Sequence, residues 1–349
     1  MFSFSLVVFL NPIRLDYMDE EEDLQETAPE KIPVSVNGFQ DTTDAQDFAY
    51  YIAYTVRAIS RYIDLSRLDG ITVAFDYDKA LAALDRGYEA MHPLTPTTDD
   101  RVLGVGMAPA VIRDGVIKCH LVFNAPMVLP IQDEAQEGFK NALYLIAHEC
   151  AHVEELLHRD ERFPGTILQP VITDYEEAVL SSITDALWSE YAACRLSAIF
   201  GDEEASAYEE CFVGALDVAR TQANERIRDY RVHGEINRLL EEAGRPLCEP
   251  LRFAAYLSGH LDGRDEDWSA VPTARECVAK SEYAPFIERM VEALRELWNT
   301  ADSWESLTVF DPLKDIARDA LEMGGIILIH QDDGTLYVDV PYSEETMPI

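Results

Sequence analysis

The sequence has no C-x-x-C pair and no closely spaced cysteine framework, little positive charge, and no apolar run long enough to span a bilayer. Each absence excludes a class. The six cysteines (Cys119, Cys150, Cys194, Cys211, Cys248, Cys277) are scattered through 349 residues, so they do not spell a small disulfide-stapled scaffold. A chain of this length buries enough core to be stable without disulfides, and a reducing cytoplasm is the simpler expectation. Only 28 Lys and Arg stand against 65 Asp and Glu, giving a formal charge of −37 and a pI near 4.4. No basic patch remains to neutralise a phosphate backbone, which argues against nucleic acid as a partner and favours cationic peptides or basic proteins. Lysine is scarcest, six against 22 arginines, a bias compatible with a saline habitat and with genomic composition alike.

The longest early apolar stretch, "FSFSLVVFL" (Phe2 to Leu10), has nine residues, no basic segment before it and no small-residue cleavage site before the acidic residues Asp16 to Glu22. It fails as a signal peptide and as a membrane span. Met18 offers an alternative start, which leaves the native status of residues 1–17 open. A soluble protein that does not engage a membrane is expected.

What is present begins with an acidic, proline-punctuated lead-in, Met18 to Pro33. Mixed elements follow: a helix over 44–63, a strand over 71–77, a short helix over 79–86, a strand over 101–105 and a stronger one over 115–124, rich in β-branched residues and stopped by Pro126. A long helix is expected from about Asp133 to His158. Thr173-x-x-Glu176 reads as a capping box opening a helix over 174–200. Further helices are expected at 203–232, 235–243, 249–260, 281–299 and 311–323. Two alternating runs around Asp333-Gly334 then read as a C-terminal β-hairpin.

The chemistry concentrates in "LIAHECAHVEELLH" (Leu145 to His158). At 100° per residue, Leu143, Ile146, Cys150, Val153 and Leu157 form a packing stripe. His148, His152 and Glu155 lie within about 40° of one line on the opposite side. Histidines four apart on a helix project side by side and can bind one Zn²⁺, while Glu149, rotated about 100° away, sits beside such a metal, where a general base belongs.

A third ligand is needed, and five residues are candidates for the place. His158 has metzincin-like spacing, but that pattern needs a glycine to break the helix, and Glu155 stands there. Glu155 faces correctly but lies roughly 10 Å along the helix from His148. On the next helix Asp185 shares its face with serines and suits solvent. Glu190 is surrounded on its face by Ile183, Ala186, Leu187, Ala193, Cys194 and Ser197, where a lone acid is costly unless a cation meets it. The competing account of Glu190 is an ordinary salt bridge. Glu176 shares that side but is four turns away and is explained by its capping box.

His-Glu-Cys-Ala-His (148–152) followed by "WSEYAAC" (Trp188 to Cys194) resembles the gluzincins, zincin-fold metallopeptidases with two histidines and a glutamate as ligands. The resemblance implies His148, His152 and Glu190 as zinc ligands and Glu149 as base and proton shuttle. Glu190-x-x-Ala193 is also similar to bacterial cytoplasmic metallopeptidases that cleave repressors. About 45 residues carry the likeness closely, and about 115–200 in architecture, since zincins place an edge strand before the motif helix, a part that 115–124 would fill. Many gluzincins carry Asp or Asn four residues after the ligand glutamate; here that position is Cys194, a poor acceptor.

The resulting expectation is an α+β, zincin-like chain: a small mixed sheet packed on the motif helix, a mainly helical lobe and a terminal hairpin. Its parts are a lead-in (1–33), a catalytic core (34–201), a helical lobe (202–324) and a hairpin with tail (325–349). The expected function is zinc-dependent hydrolysis of a peptide or protein substrate, with Tyr191, Tyr208, His233 and Tyr256 as undistinguished candidates for oxyanion donor. The alternative is a catalytically inactive zincin-like binding protein with a structural or vestigial metal site. A di-iron reading of Glu149-x-x-His152 and Glu155-x-x-His158 requires two facing helices, whereas these share one.

Overall fold

In the computed structural model Phe2–Val8 (β1) pairs antiparallel with Ile32–Phe39 (β2), so a stretch whose native status the sequence left open forms one edge of a sheet. Thr42–Ile59 (α1) follows, its N-terminus capped by the Asp41 carboxylate, which accepts from Thr43 N and Asp44 N. Leu68–Ala74 (β3) runs parallel to β2, and Tyr77–Ala83 (α2) is a short helix; the strand expected over 71–77 thus ends three residues early, because Asp76 caps α2 through Lys79 N. Gly106–Met107 (β4), Ala110–Arg113 (β5) and Val116–Asn124 (β6) complete the sheet. Its order is β1-β2-β3-β6-β4, with β5 also pairing β6. The structure describes residues 2–8, 24–90, 93–96, 104–168, 174–202, 204–331 and 335–347, so residues 101–103 of the strand expected over 101–105 lie outside them.

The mixed sheet explains a correction. β6 pairs parallel with β3 on one side and antiparallel with β4 and β5 on the other, so residues 115–124 are an interior strand; β4 ends the sheet. β5 and β6 turn through Asp114 (φ 53) and Gly115 (φ 78), two left-handed residues that suit a type I′ hairpin. On the far side of the sheet Asp69, His120 and Thr72 are tied in sequence: His120 Nδ1 lies 2.9 Å from Asp69 Oδ2 and His120 Nε2 2.9 Å from Thr72 Oγ1, with Arg113 on Asp69. That network stitches β3, β5 and β6 together.

Ala125–Val128 (α3) and a 3₁₀ turn at Leu129–Gln132 follow β6; the long helix expected from about Asp133 begins instead at Phe139, after turns over 133–138, and runs to Arg162 (α4). Gly138, at φ 90, sets that entry. Tyr175–Ser197 (α5) is followed by Glu204–His233 (α6), Ile236–Glu242 (α7), Gly244–Gly263 (α8), Pro272–Ala279 (α9), Ala284–Thr300 (α10) and Asp311–Met323 (α11). Ile327–His330 (β7) and Leu336–Asp339 (β8) form the expected antiparallel hairpin, whose Asp333-Gly334 turn lies outside the described residues. α9 was not anticipated. α8 starts five residues earlier than expected and carries Pro250 in its body, because buried Leu247, Leu251, Ala254 and Leu257 outweigh the one hydrogen bond a proline removes.

The architecture is therefore α+β, with a small mixed sheet and a C-terminal hairpin. Two compact units form: Met1–Leu168 with Leu196–Gly201, and Gln169–Arg195 with Asp202–Ile349. The first is the sheet with α1 and α4. The second is helical, with Leu180, Ile227, Leu239, Leu247, Leu321 and Val338 in one buried cluster. No helix among the described residues is long and apolar enough to cross a membrane.

Candidate metal centre

α4 is held on the sheet by the stripe its sequence shows. Ile146, Cys150, Val153 and Leu157 are buried, and Leu143 is half-buried. Alternation along β6 turns Cys119, Leu121 and Phe123 toward this helix, and the Cys119 thiol lies 3.9 Å from the His152 carbonyl oxygen. Burial pushes the Cys119 and Cys150 thiols above their ordinary range. Arg159 and Arg162 close the last turn, where positive charge complements the helix dipole.

His148 and His152 are half-buried, their ring centroids 4.9 Å apart and their planes nearly perpendicular. Glu149 is buried at 7% exposure. It lies against β4: a Cβ built on Gly106 would stand 2.8 Å from Glu149 Oε1 and 2.9 Å from its Cγ. Only a glycine leaves the carboxylate in that place. Beyond the same strand, Met107 packs with the cluster formed by Tyr77, Leu81 and Val122. Burial first, and then the charge of Glu149, raises the Tyr77 hydroxyl above its ordinary value, so it remains a donor. Gly106 carried no signal in the sequence, because a two-residue strand has no periodicity to detect.

α5 carries Glu190 on a face whose neighbours Leu187, Ala193, Cys194 and Ser197 are buried. His148, His152 and Glu190 each offer one ligand atom, and these atoms all lie within 4.8 Å of one another. Two imidazoles and a carboxylate so grouped could hold a metal ion that takes nitrogen and oxygen donors.

The competitors are placed elsewhere. His158 is exposed on an α4 that continues unbroken to Arg162, so the chain does not swing it back. Glu155 is buried, and Arg159, one turn on, meets it at 3.1 Å. Asp185 is exposed. The Glu176 carboxylate takes Arg318 Nε at 2.6 Å and His330 Nε2, and Asp174 accepts from Glu177 N at the helix start. Thr173 lies outside the described residues.

Among the four candidate donors, two are committed to structure. The Tyr191 hydroxyl donates to Asp262 at 2.7 Å and accepts from Arg195 at 2.6 Å. His233 Nδ1 accepts from Glu235 N at the end of α6. Tyr256 donates a hydrogen bond to the Glu190 carboxylate, and burial first, then that carboxylate's charge, holds its phenol well above its ordinary value. Tyr208 accepts the Cys194 thiol at 3.5 Å and packs on Tyr256, ring centroids 5.5 Å apart.

Comparison of the chain with family models, with curated proteins and with solved structures yields no match. The function must be argued from the site.

Proposed function

We propose that this chain is a zinc-dependent metallopeptidase of the zincin type, with His148, His152 and Glu190 as ligands and Glu149 as general base. The observation that carries the reading is the grouping of two imidazoles and one carboxylate within 4.8 Å, next in sequence to a buried glutamate on the same helix as the histidines. When bound, zinc supplies a Lewis acid and brings the pKa of a water it holds towards 7.

The residues of the chain do the rest. Glu149, its carboxylate pressed against Gly106, accepts a proton from the attacking water and returns it to the leaving amine. The burial that disfavours stray water around Glu149 also keeps the transferred proton local. β4, the terminal strand of the sheet, is the natural rail for an extended peptide, which would add to it by backbone hydrogen bonding with the scissile bond near Glu149. That geometry supports a peptide or protein substrate, and the acidic composition favours a basic one.

The test pairs metal analysis with a broad peptide-cleavage assay on the zinc-loaded chain. Glu149→Gln keeps its zinc and loses hydrolysis; Glu190→Ala binds zinc much more weakly. A wild-type chain that takes up no stoichiometric zinc, or a Glu149→Gln variant that cleaves at the wild-type rate, defeats the proposal. Stoichiometric zinc without turnover on any peptide would identify the site as vestigial.

A further inference from the structure

Cys194 stands one helical turn after Glu190, within reach of its carboxylate along α5. The structure sends Cys194 elsewhere: its thiol donates to the Tyr208 hydroxyl at 3.5 Å. What reaches Glu190 comes from α8. Gly259 allows α8 to touch the backbone of α5, for a Cβ at Gly259 would stand 2.3 Å from the Tyr191 carbonyl oxygen, beside Glu190 in sequence. Tyr256 lies one turn before Gly259, so this close approach carries its phenol to the Glu190 side chain, to which it donates. The phenol ring is itself braced. Tyr208 packs on it at 5.5 Å between centroids, and His260, one turn further along α8, packs on Tyr208 at 5.8 Å.

We propose that Tyr256 is the positioning residue of Glu190, its hydroxyl fixing the carboxylate in the orientation that ligates. The inference rests on the reading of Glu190 as a metal ligand. An unbraced glutamate populates several rotamers, and each metal-binding event must then select one; a donor that holds one oxygen leaves the other presented. A rigid phenol does this at small entropic cost, having only two side-chain torsions to fix. The Gly259 contact and the Tyr208 packing are what make the donor's position definite.

The experiment measures Zn²⁺ affinity by competition with a chromophoric chelator for the full-length wild type, Tyr256→Phe, Glu190→Ala and the double variant, with melting of each metal-free chain as the control for folding. Tyr256→Phe is expected to weaken zinc about 10- to 100-fold, the usual scale for losing a partner of a metal ligand. In the Glu190→Ala background the same change is expected to alter affinity by less than about twofold, because a donor without its acceptor has nothing left to position. Tyr191→Phe, which removes another buried hydroxyl of the same region, should leave affinity unchanged. Tyr256→Phe binding within about twofold of wild type overturns the inference, as does an equal loss in both backgrounds, which would mark a general structural role. A wild type without zinc, or Glu190→Ala binding like wild type, overturns the proposed function and this inference with it, so the two failures are told apart.

Discussion

Gly106→Ala is the sharpest single perturbation of the proposed chemistry, because it moves the base without touching a ligand. The added methyl would lie 2.8 Å from Glu149 Oε1, 2.9 Å from Cγ and 3.1 Å from Cδ, where ordinary contact begins near 3.4 Å. A clash with Oε1 alone would be relieved by turning the carboxylate. The contact with Cγ is not relieved that way, so the side chain must change torsions nearer its root and retreat by about 0.5 Å. An ångström of misplacement in a reacting group costs on the order of 100-fold, so about 10-fold is expected here in kcat/KM. Overpacking should cost about 1 kcal/mol of stability, the low end of its range, since a side chain and not backbone gives way. The assay is kcat/KM on the zinc-loaded variant beside its metal content, repeated in a Glu149→Gln background. Gly106→Ala should keep zinc within about twofold of wild type, and should add nothing to Glu149→Gln. Unchanged kcat/KM would refute the placement of the base against β4; loss of zinc would show that Gly106 governs the ligands instead.

Three further outcomes follow from the structure. His260 is fully buried, and desolvation, helped by the charge of Arg264, lowers its pKa from 6.5 to about 4. As pH falls below 6.5 the unfolded chain takes up this proton first, so the metal-free protein should lose on the order of 3 kcal/mol between about pH 6.5 and 4 and nothing from this source above that window; urea titrations in which His260→Phe shows the same slope would remove the cause. Asp262 binds Arg295 through both oxygens, at 2.7 and 2.9 Å, and accepts from Tyr191, so Asp262→Asn should lower the urea-derived stability by about 2 kcal/mol. Gly259→Ala drives a methyl into the Tyr191 carbonyl oxygen and should destabilise by about 3 kcal/mol while weakening zinc, whereas an unaltered melting temperature would contradict the helix contact.

Reading elements from the sequence worked where a long segment shows one period. α6 and α11 lie within one residue of the expected spans, α4 overlaps its expected span but starts six residues later, and the terminal hairpin pairs as its alternation implied. It failed where the deciding interaction is remote. β2 borders the acidic lead-in, yet it becomes an interior strand because β1 and β3 flank it. β6 was assigned to an edge, and only the pairing of β4 and β5 moves it inside.

The same division runs through the site. The sequence by itself determined that His148 and His152 share one face of a helix with Glu149 beside them, since residues four apart are neighbours through local geometry alone. It also narrowed the acids of α5 to Glu190, because an apolar helix face states its own need for a counter-charge. Only the tertiary structure decided that the Glu190 carboxylate groups with both imidazoles, that Glu149 rests on a glycine of the last strand, and that Tyr256 reaches Glu190. Those contacts join segments tens of residues apart, and their distances are set by how helices and strands pack, which no local pattern encodes.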